Sequence, residues 1–395
     1  MKQAQGFPVA VKLMTEFARL SGLEPASDRP RRYLWTDAFA VCNFLGLYQH
    51  TNDETWKNLS LQLVDQVHSI LGRHRADDWR KGWISGLDDR EGEFHPTIGG
   101  LRIGKKMNER GPDVPIDDQL EWDRDGQYYH YLTKWMHALN RVSSVTGNPA
   151  YRRWAFELAK TAYAKFTYDS TRSGGTAAYN QKRMYWKMSI DLSYPLVASM
   201  GHHDPLDGLI TYRELQVSQA EDSKEAPDLS REIEELAAMC KEKDWTTDDA
   251  LGIGGLLSDA FRVAEIAETG AFAQADLLAD ILKACRRGLQ SFARTGSLKA
   301  PAYYRLAFRE LGLSIGLHAL ERLQRLIEKS PGIFGEQQSL GSQVESLMRY
   351  CALAEIIENF WLEPANREVP SFTDHLDINT VMLAASLAPD GYLML

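Results

Sequence analysis

Cysteine is scarce: four residues, Cys42, Cys240, Cys285 and Cys351, are spread over a chain of 395. No two share a CxxC spacing, which argues against a structural zinc site, and their apolar helical surroundings predict buried thiols. Long apolar runs are also lacking. No stretch approaches the ~20 residues of a membrane span, and the opening Met1-Lys2-Gln3-Ala4-Gln5-Gly6 does not read as a signal peptide. Nor is there a basic surplus. Lys and Arg number 45 against 54 Asp and Glu, a net charge of -9, which argues against nucleic acid as a default partner because phosphate binding needs a basic surface. No metal or other cofactor is expected, since no His, Asp, Glu and Cys set has ligand spacing. The remainder is an ordinary composition, 44% hydrophobic and 25% charged. It suits a soluble protein with a large core, and with no signal peptide or span read in the sequence a cytoplasmic location is expected; the oligomeric state stays open.

The densest chemistry lies in Glu121-Trp122-Asp123-Arg124-Asp125-Gly126-Gln127-Tyr128-Tyr129-His130. A strongly helical run, 128–145, follows it. There Tyr128, Leu132, Trp135, Leu139 and Val142 recur at steps of four and three, so one face is apolar and buried. The polar cluster therefore sits at the mouth of a buried helix, where unpaired backbone N–H groups and the positive dipole end also point. Helix capping is the plainer role for Asp123 and Asp125.

Elsewhere, all-round apolar helices alternate with one-face helices. Residues 38–48 (Phe39, Val41, Cys42, Phe44, Leu45, Leu47) are apolar on nearly every side, whereas Trp56, Leu59, Leu63, Val67 and Ile70 form one stripe. The turns His50-Thr51-Asn52-Asp53 and Val145-Thr146-Gly147-Asn148 occupy the same place in successive pairs. Further pairs are expected at 188–200 with 205–219, 249–267 with 271–293, and 305–328 with 342–361, a last buried helix at 376–388, and a charged surface helix at 228–241. With the first helix (7–22) counted as an outer one, this degenerate repeat predicts an all-α, single-domain (α/α)6 toroid of about six hairpins spanning 1–395. The exception is a long irregular segment, about 76–124, expected over the mouth with a short β-hairpin.

The paired helices, the aromatic-Asp start Trp35-Thr36-Asp37 and the Thr-Gly-Asn and Thr-Asn-Asp turns resemble the six-hairpin glycosidase superfamily. That group includes exo-acting glycoside hydrolases, unsaturated glucuronyl hydrolases, and the N-acylglucosamine and cellobiose 2-epimerases. The resemblance covers nearly the whole chain and implies a saccharide site at the mouth of the inner helices.

Four polar groups fall at expected inner-helix starts: Asp37; Asp123 with Asp125; Tyr185 to Asp191; and Asp374 to Asp377. Glycoside hydrolysis needs two carboxyl groups, one as acid and one as base or nucleophile. Asp125, Asp123, Asp37 and Asp191 are the candidates. Asn at Asp123 or Asp125 is expected to abolish activity and spare the fold. Sugar binding falls to Trp35, Trp122, Arg124, Tyr128, Tyr185, Trp186, Lys187 and Asp377, with Arg102 and Lys105 suited to an anionic sugar. For each aromatic taken singly, core packing is the blander role. His202 and His375 fit the runner-up that the resemblance implies, a cofactor-free epimerase or isomerase moving the proton at C2. Asp204-Pro205 reads as helix cap and first helical residue. Asp88, Asp89 and Glu109 are lesser candidates for a lid acid. A non-catalytic helical-repeat protein is the third reading; the carboxylates and tryptophans clustered at helix starts argue against it.

Overall fold

The computed structural model describes residues 3–172, 179–219, 228–270, 275–334 and 338–395. The fold is all-α, with thirteen described helices of eleven residues or more and only short strands. In chain order the long helices are α1 (Gln3–Leu20), α2 (Leu34–Thr51), α3 (Glu54–Leu71), α4 (Tyr129–Thr146), α5 (Pro149–Phe166), α6 (Asp204–Gln219), α7 (Ser230–Cys240), α8 (Ala250–Glu268), α9 (Ala275–Thr295), α10 (Ala307–Lys329), α11 (Gln338–Met348), α12 (Ala352–Leu362) and α13 (Leu376–Leu387). They divide between two compact units, Gly22–Leu45 with Glu54–Glu242, and Met1–Ser21 with Gly46–Asp53 and Lys243–Leu395.

In the unit built around Glu54–Glu242, α4 and α6 are buried helices that pack on each other, and each carries an amphipathic partner, α5 and α7. Asn148 caps α5 through the Ala150 N–H, and Pro149 opens the helix, where its missing N–H costs nothing. Gly147 ends α4 in the left-handed conformation. In the other unit, α8 packs against α9 and α10, α10 against α12 and α13, and α13 against α1. Gly254 and Gly312 let the backbones of α8 and α10 meet; a Cβ on Gly254 would strike the Gly312 carbonyl.

One expected helix is absent. Residues 188–200 contain no helix; there β4 (Lys187–Met188) pairs with both β1 (Gln127–Tyr128) and β5 (Pro195–Val197). The physical reason is local. Leu192 adopts φ 59°, Ser189 and Asp191 side chains bond nearby backbone N–H groups, and Pro195 has no N–H to give a helix. The third hairpin is thus α6 with α7, and α6, expected as an outer helix, is buried from Asp204 to Thr211 and beyond. A second ribbon, β2 (Thr167–Arg172) with β3 (Tyr179–Met184), follows α5.

The 76–124 segment contains no hairpin of named strands, but the antiparallel bridge Arg73 to Trp83, with the His74 N–H on the Gly82 carbonyl and the Ile84 N–H on the Gly72 carbonyl, pairs its start with the end of α3. Its other regular structure is two short helices, Asp89–Phe94 and Asp118–Glu121, and the parallel bridge Met107 to Arg124. Ion pairs also hold it. Arg80 binds Asp78 (2.7 Å), Glu109 (2.5 Å) and Asp191 (2.9 Å), tying the segment to the turn after β4. Among the described residues, no helix is long and apolar enough to cross a membrane.

Candidate functional site

The sequence stretch at the mouth of α4 becomes a set of rings. Trp122 meets Trp186 edge-on at 5.8 Å, and Trp186 lies 5.4 Å from Tyr128 and stacks on His130 at 6.5 Å. His130 contacts Tyr131 at 4.8 Å, and the Tyr131 hydroxyl bonds that of Tyr33 at 2.7 Å. Local geometry explains the array. Tyr128 ends β1 in extended conformation, so Tyr128, His130 and Tyr131 fan out where strand becomes helix. Trp186 precedes β4, the antiparallel neighbour of β1, in which Tyr128 faces Lys187. Gly126 makes this possible: its φ is +146°, and a Cβ there would press on the Met188 carbonyl. Trp122 is 56% exposed, so the array opens to solvent.

Beside the rings lies an acid–base pair. His130 Nδ1 is 3.6 Å from Asp204 Oδ1, and Lys134, one turn further along α4, binds Asp207 at 2.7 Å. The His130 side chain keeps 28% exposure, yet burial pushes its pKa down to about 4, so the ring is neutral at pH 7. Neither ring nitrogen makes a hydrogen bond within the described residues, Nδ1 being buried without one. Asp123 is exposed, and its carboxylate has no side-chain partner among the described residues.

The other candidate carboxylates are engaged. Asp125 has no exposed surface. One oxygen takes Arg102 (2.6 Å) and Arg75 (3.2 Å), the other the N–H groups of Gly104 (2.9 Å) and Gly126 (3.1 Å). Asp37 is buried, binding Arg32 at 3.3 Å and the Tyr33 N–H at 2.9 Å, which secures the start of α2. For Asp191, partial burial works upward, but Ser193, Ser189 and Arg80 outweigh it and hold its carboxyl below the usual range. Burial raises the Glu109 carboxyl against the pull of the Ile190 N–H and Arg80. Asp88 caps the Asp89–Phe94 helix and Asp89 binds Arg73 at 2.8 Å.

The candidate binding residues also divide. Trp122, Tyr128 and Trp186 come together, and Arg124 is half-buried with its carbonyl accepting from Lys187. Trp35 is buried against Phe39, and Tyr185 stacks on Tyr168 at 4.3 Å in the β2–β3 ribbon. Arg102 is buried, spending its remaining donors on the Arg73 and Ile70 carbonyls. Lys187 has no exposed surface and binds Glu121 (2.7 Å) and the Arg124 carbonyl (2.8 Å) beneath the Tyr128 ring. His202 is exposed with its ring 4.6 Å from that of His203. His375 and Asp377 belong to the other unit; His375 is exposed, 5.8 Å from Phe308, and Asp377 lies in the first turn of α13. Sequence reasoning passed over His130, Tyr131, Tyr33, Lys134 and Asp207 and read Asp204 as a cap. The available signal was the i, i+4 spacing of His130 and Lys134 on α4, matched by Asp204 and Asp207 at i, i+3 on α6. Among the described residues no group of three His, Cys, Asp or Glu is arranged to hold a metal ion.

In fold, the GH76 alpha-mannanase of Bacteroides thetaiotaomicron is similar over 99% of this chain and 96% of its own, with TM-score 0.51 and 6% identity. The cellobiose 2-epimerase of Spirochaeta thermophila matches 95% of this chain and 97% of its own at TM-score 0.48 and 11% identity. A sugar epimerase from a ruminal bacterium matches 81% and 76% at TM-score 0.44 and 9% identity. No protein-family model and no curated protein sequence matches the chain.

Proposed function

We propose that this protein is a carbohydrate-active enzyme and that its reaction is proton transfer beside a sugar carbonyl, as in epimerisation or isomerisation. A saccharide ligand is supported by the fold it shares with an alpha-mannanase and by rings suited to stacking on pyranose C–H faces. The observation that carries the reaction type is His130. It is a neutral imidazole among Tyr128, Tyr131 and Trp186, with Asp204 facing Nδ1. Nδ1 lies 3.6 Å from Asp204 Oδ1 without a hydrogen bond between them; with the proton on Nδ1, the Nε2 lone pair is the base. In that role Nε2 takes the proton from C2 of the open-chain sugar, and the C2–H electrons form the enediolate with its charge on O1. The imidazolium delivers the proton to C1 while the O2 proton passes to O1, giving the ketose; inversion at C2 needs a second proton donor on the opposite face. The charge of Asp207 favours the imidazolium while it exists, and that of Lys134 opposes it. Three of the four carboxylates suggested for hydrolysis are held by arginines, which removes the numerical case for two free carboxyls.

Asp123 supports a second reading, glycoside hydrolysis, because it is an exposed carboxylate next to Trp122. The two are separated by incubating the protein with reducing sugars and aryl glycosides in deuterium oxide. Deuterium at C2 without aglycone release, lost in His130→Asn, is expected. Aglycone release that Asp123→Asn abolishes and His130→Asn spares would overturn the proton-transfer reading.

A further inference from the structure

The cations at the ring array are not balanced by the anions beside them. Lys105 Nζ sits 5.7 Å from the Trp122 ring centroid and 5.9 Å from that of Tyr128, bonded to the Trp122 carbonyl. An ammonium carries three donors, so two remain for a ligand. Lys105 forms no ion pair among the described residues, although burial, and then Lys187, push its pKa down. The neighbouring carboxylates are committed. Glu121 binds Lys187 at 2.7 Å with Arg110 3.4 Å away, and Asp125 binds Arg102 and Arg75. Arg124 is half-buried, and its guanidinium has no partner among the described residues. Asp123, Asp125 and Glu121 all act on Lys105, but of these only Asp123 forms no ion pair of its own among the described residues, in a chain whose net charge is -9. A partly desolvated ammonium next to a like charge is costly unless an anion completes it.

We infer that the sugar bound here carries an anionic group, a carboxylate or a phosphate, received by Lys105 and Arg124 beside the Trp122 ring. This rests on the reading of the ring array as a sugar site and adds the class of sugar. Phosphate and carboxylate present the same oxygen acceptors, and a guanidinium can grip either in bidentate fashion.

The test is calorimetric titration of the full chain with glucose, glucuronate and glucose 6-phosphate. One acidic sugar should bind at least about tenfold more tightly than glucose, the scale of one charge-assisted bond. Preference for glucuronate identifies the carboxylate, and preference for glucose 6-phosphate the phosphate. The ratio should fall towards one in Lys105→Met, survive in Lys105→Arg and shrink with added salt. Arg124→Met provides an independent variant whose side chain breaks no protein contact. Equal or weaker binding of both acidic sugars, or a ratio unchanged in Lys105→Met and Arg124→Met, overturns the inference. Trp122→Ala separates the two levels. If it weakens glucose while neither acid gains, only the anion inference fails. If it leaves glucose affinity intact, or none of the three sugars binds the wild type, the sugar-site reading fails with it.

Discussion

Replacing Asp125 by Asn tests whether this carboxylate reacts or holds the site together. The swap keeps shape but turns one acceptor oxygen into a donor NH2 group. Gly104 and Gly126 can still donate to the remaining oxygen, so the other side bears the loss. There Arg102 Nη1, 2.6 Å from Asp125 Oδ2, would face another donor. Arg75 is cushioned because it also binds Asp77 at 2.7 Å. Arg102 has only the carbonyls of Arg73 and Ile70 left, and its charge is buried. Breaking a buried pair in this way costs about 3–5 kcal/mol. Against a domain stability on the order of 5–15 kcal/mol, that is a large part of the margin. Urea unfolding followed by tryptophan fluorescence should therefore show a clearly lower midpoint for Asp125→Asn. Arg102→Met combined with Asp125→Asn should recover part of the loss by removing the stranded charge. A variant as stable as wild type but slowed by about two orders of magnitude, the scale of a lost acid or base, would refute the argument and return Asp125 to the chemistry.

His130→Asn should leave the unfolding midpoint near wild type and reduce turnover by about a hundredfold or more. Because burial lowers the His130 pKa to about 4 and the base must be unprotonated, kcat/KM should hold through mildly acidic pH and fall as pH drops through about 4; an acid limb near 6.5 would contradict this. Trp122→Ala, at a ring 56% exposed, should weaken saccharide binding in titrations without moving the unfolding midpoint. In the other unit, burial pulls His318 down, but Glu321 and Glu358 outweigh it and raise its pKa to about 9. That raised value stabilises the fold fully below about pH 6.5 and is lost as pH rises through 9, by up to about 3 kcal/mol. His318→Gln should flatten the corresponding slope of stability against pH between 6.5 and 9; an unchanged slope would show that His318 is not its source.

The sequence alone determined the all-α hairpin series because burial leaves a periodic trace: Phe39 to Leu47 apolar all round, Trp56 to Ile70 apolar on one stripe, and Asn148-Pro149 marking a helix start. It also located the mouth of α4 and the rings Trp122, Tyr128 and Trp186. Only the tertiary structure decided which charges are available there. Asp37 pairs with Arg32 only five residues before it, whereas Asp125 and Asp191 look reactive in a list of residues but have their partners, Arg102 and Arg80, in distant parts of the chain. The same holds for His130, whose neighbour Asp204 lies on α6. The missing helix at 188–200 has the same cause: β4 pairs with a strand some sixty residues earlier, and that pairing overrides local apolar periodicity. Periodicity is a property of neighbours in sequence, whereas ion pairing and desolvation, which set what a carboxylate or an imidazole can do, belong to neighbours in space.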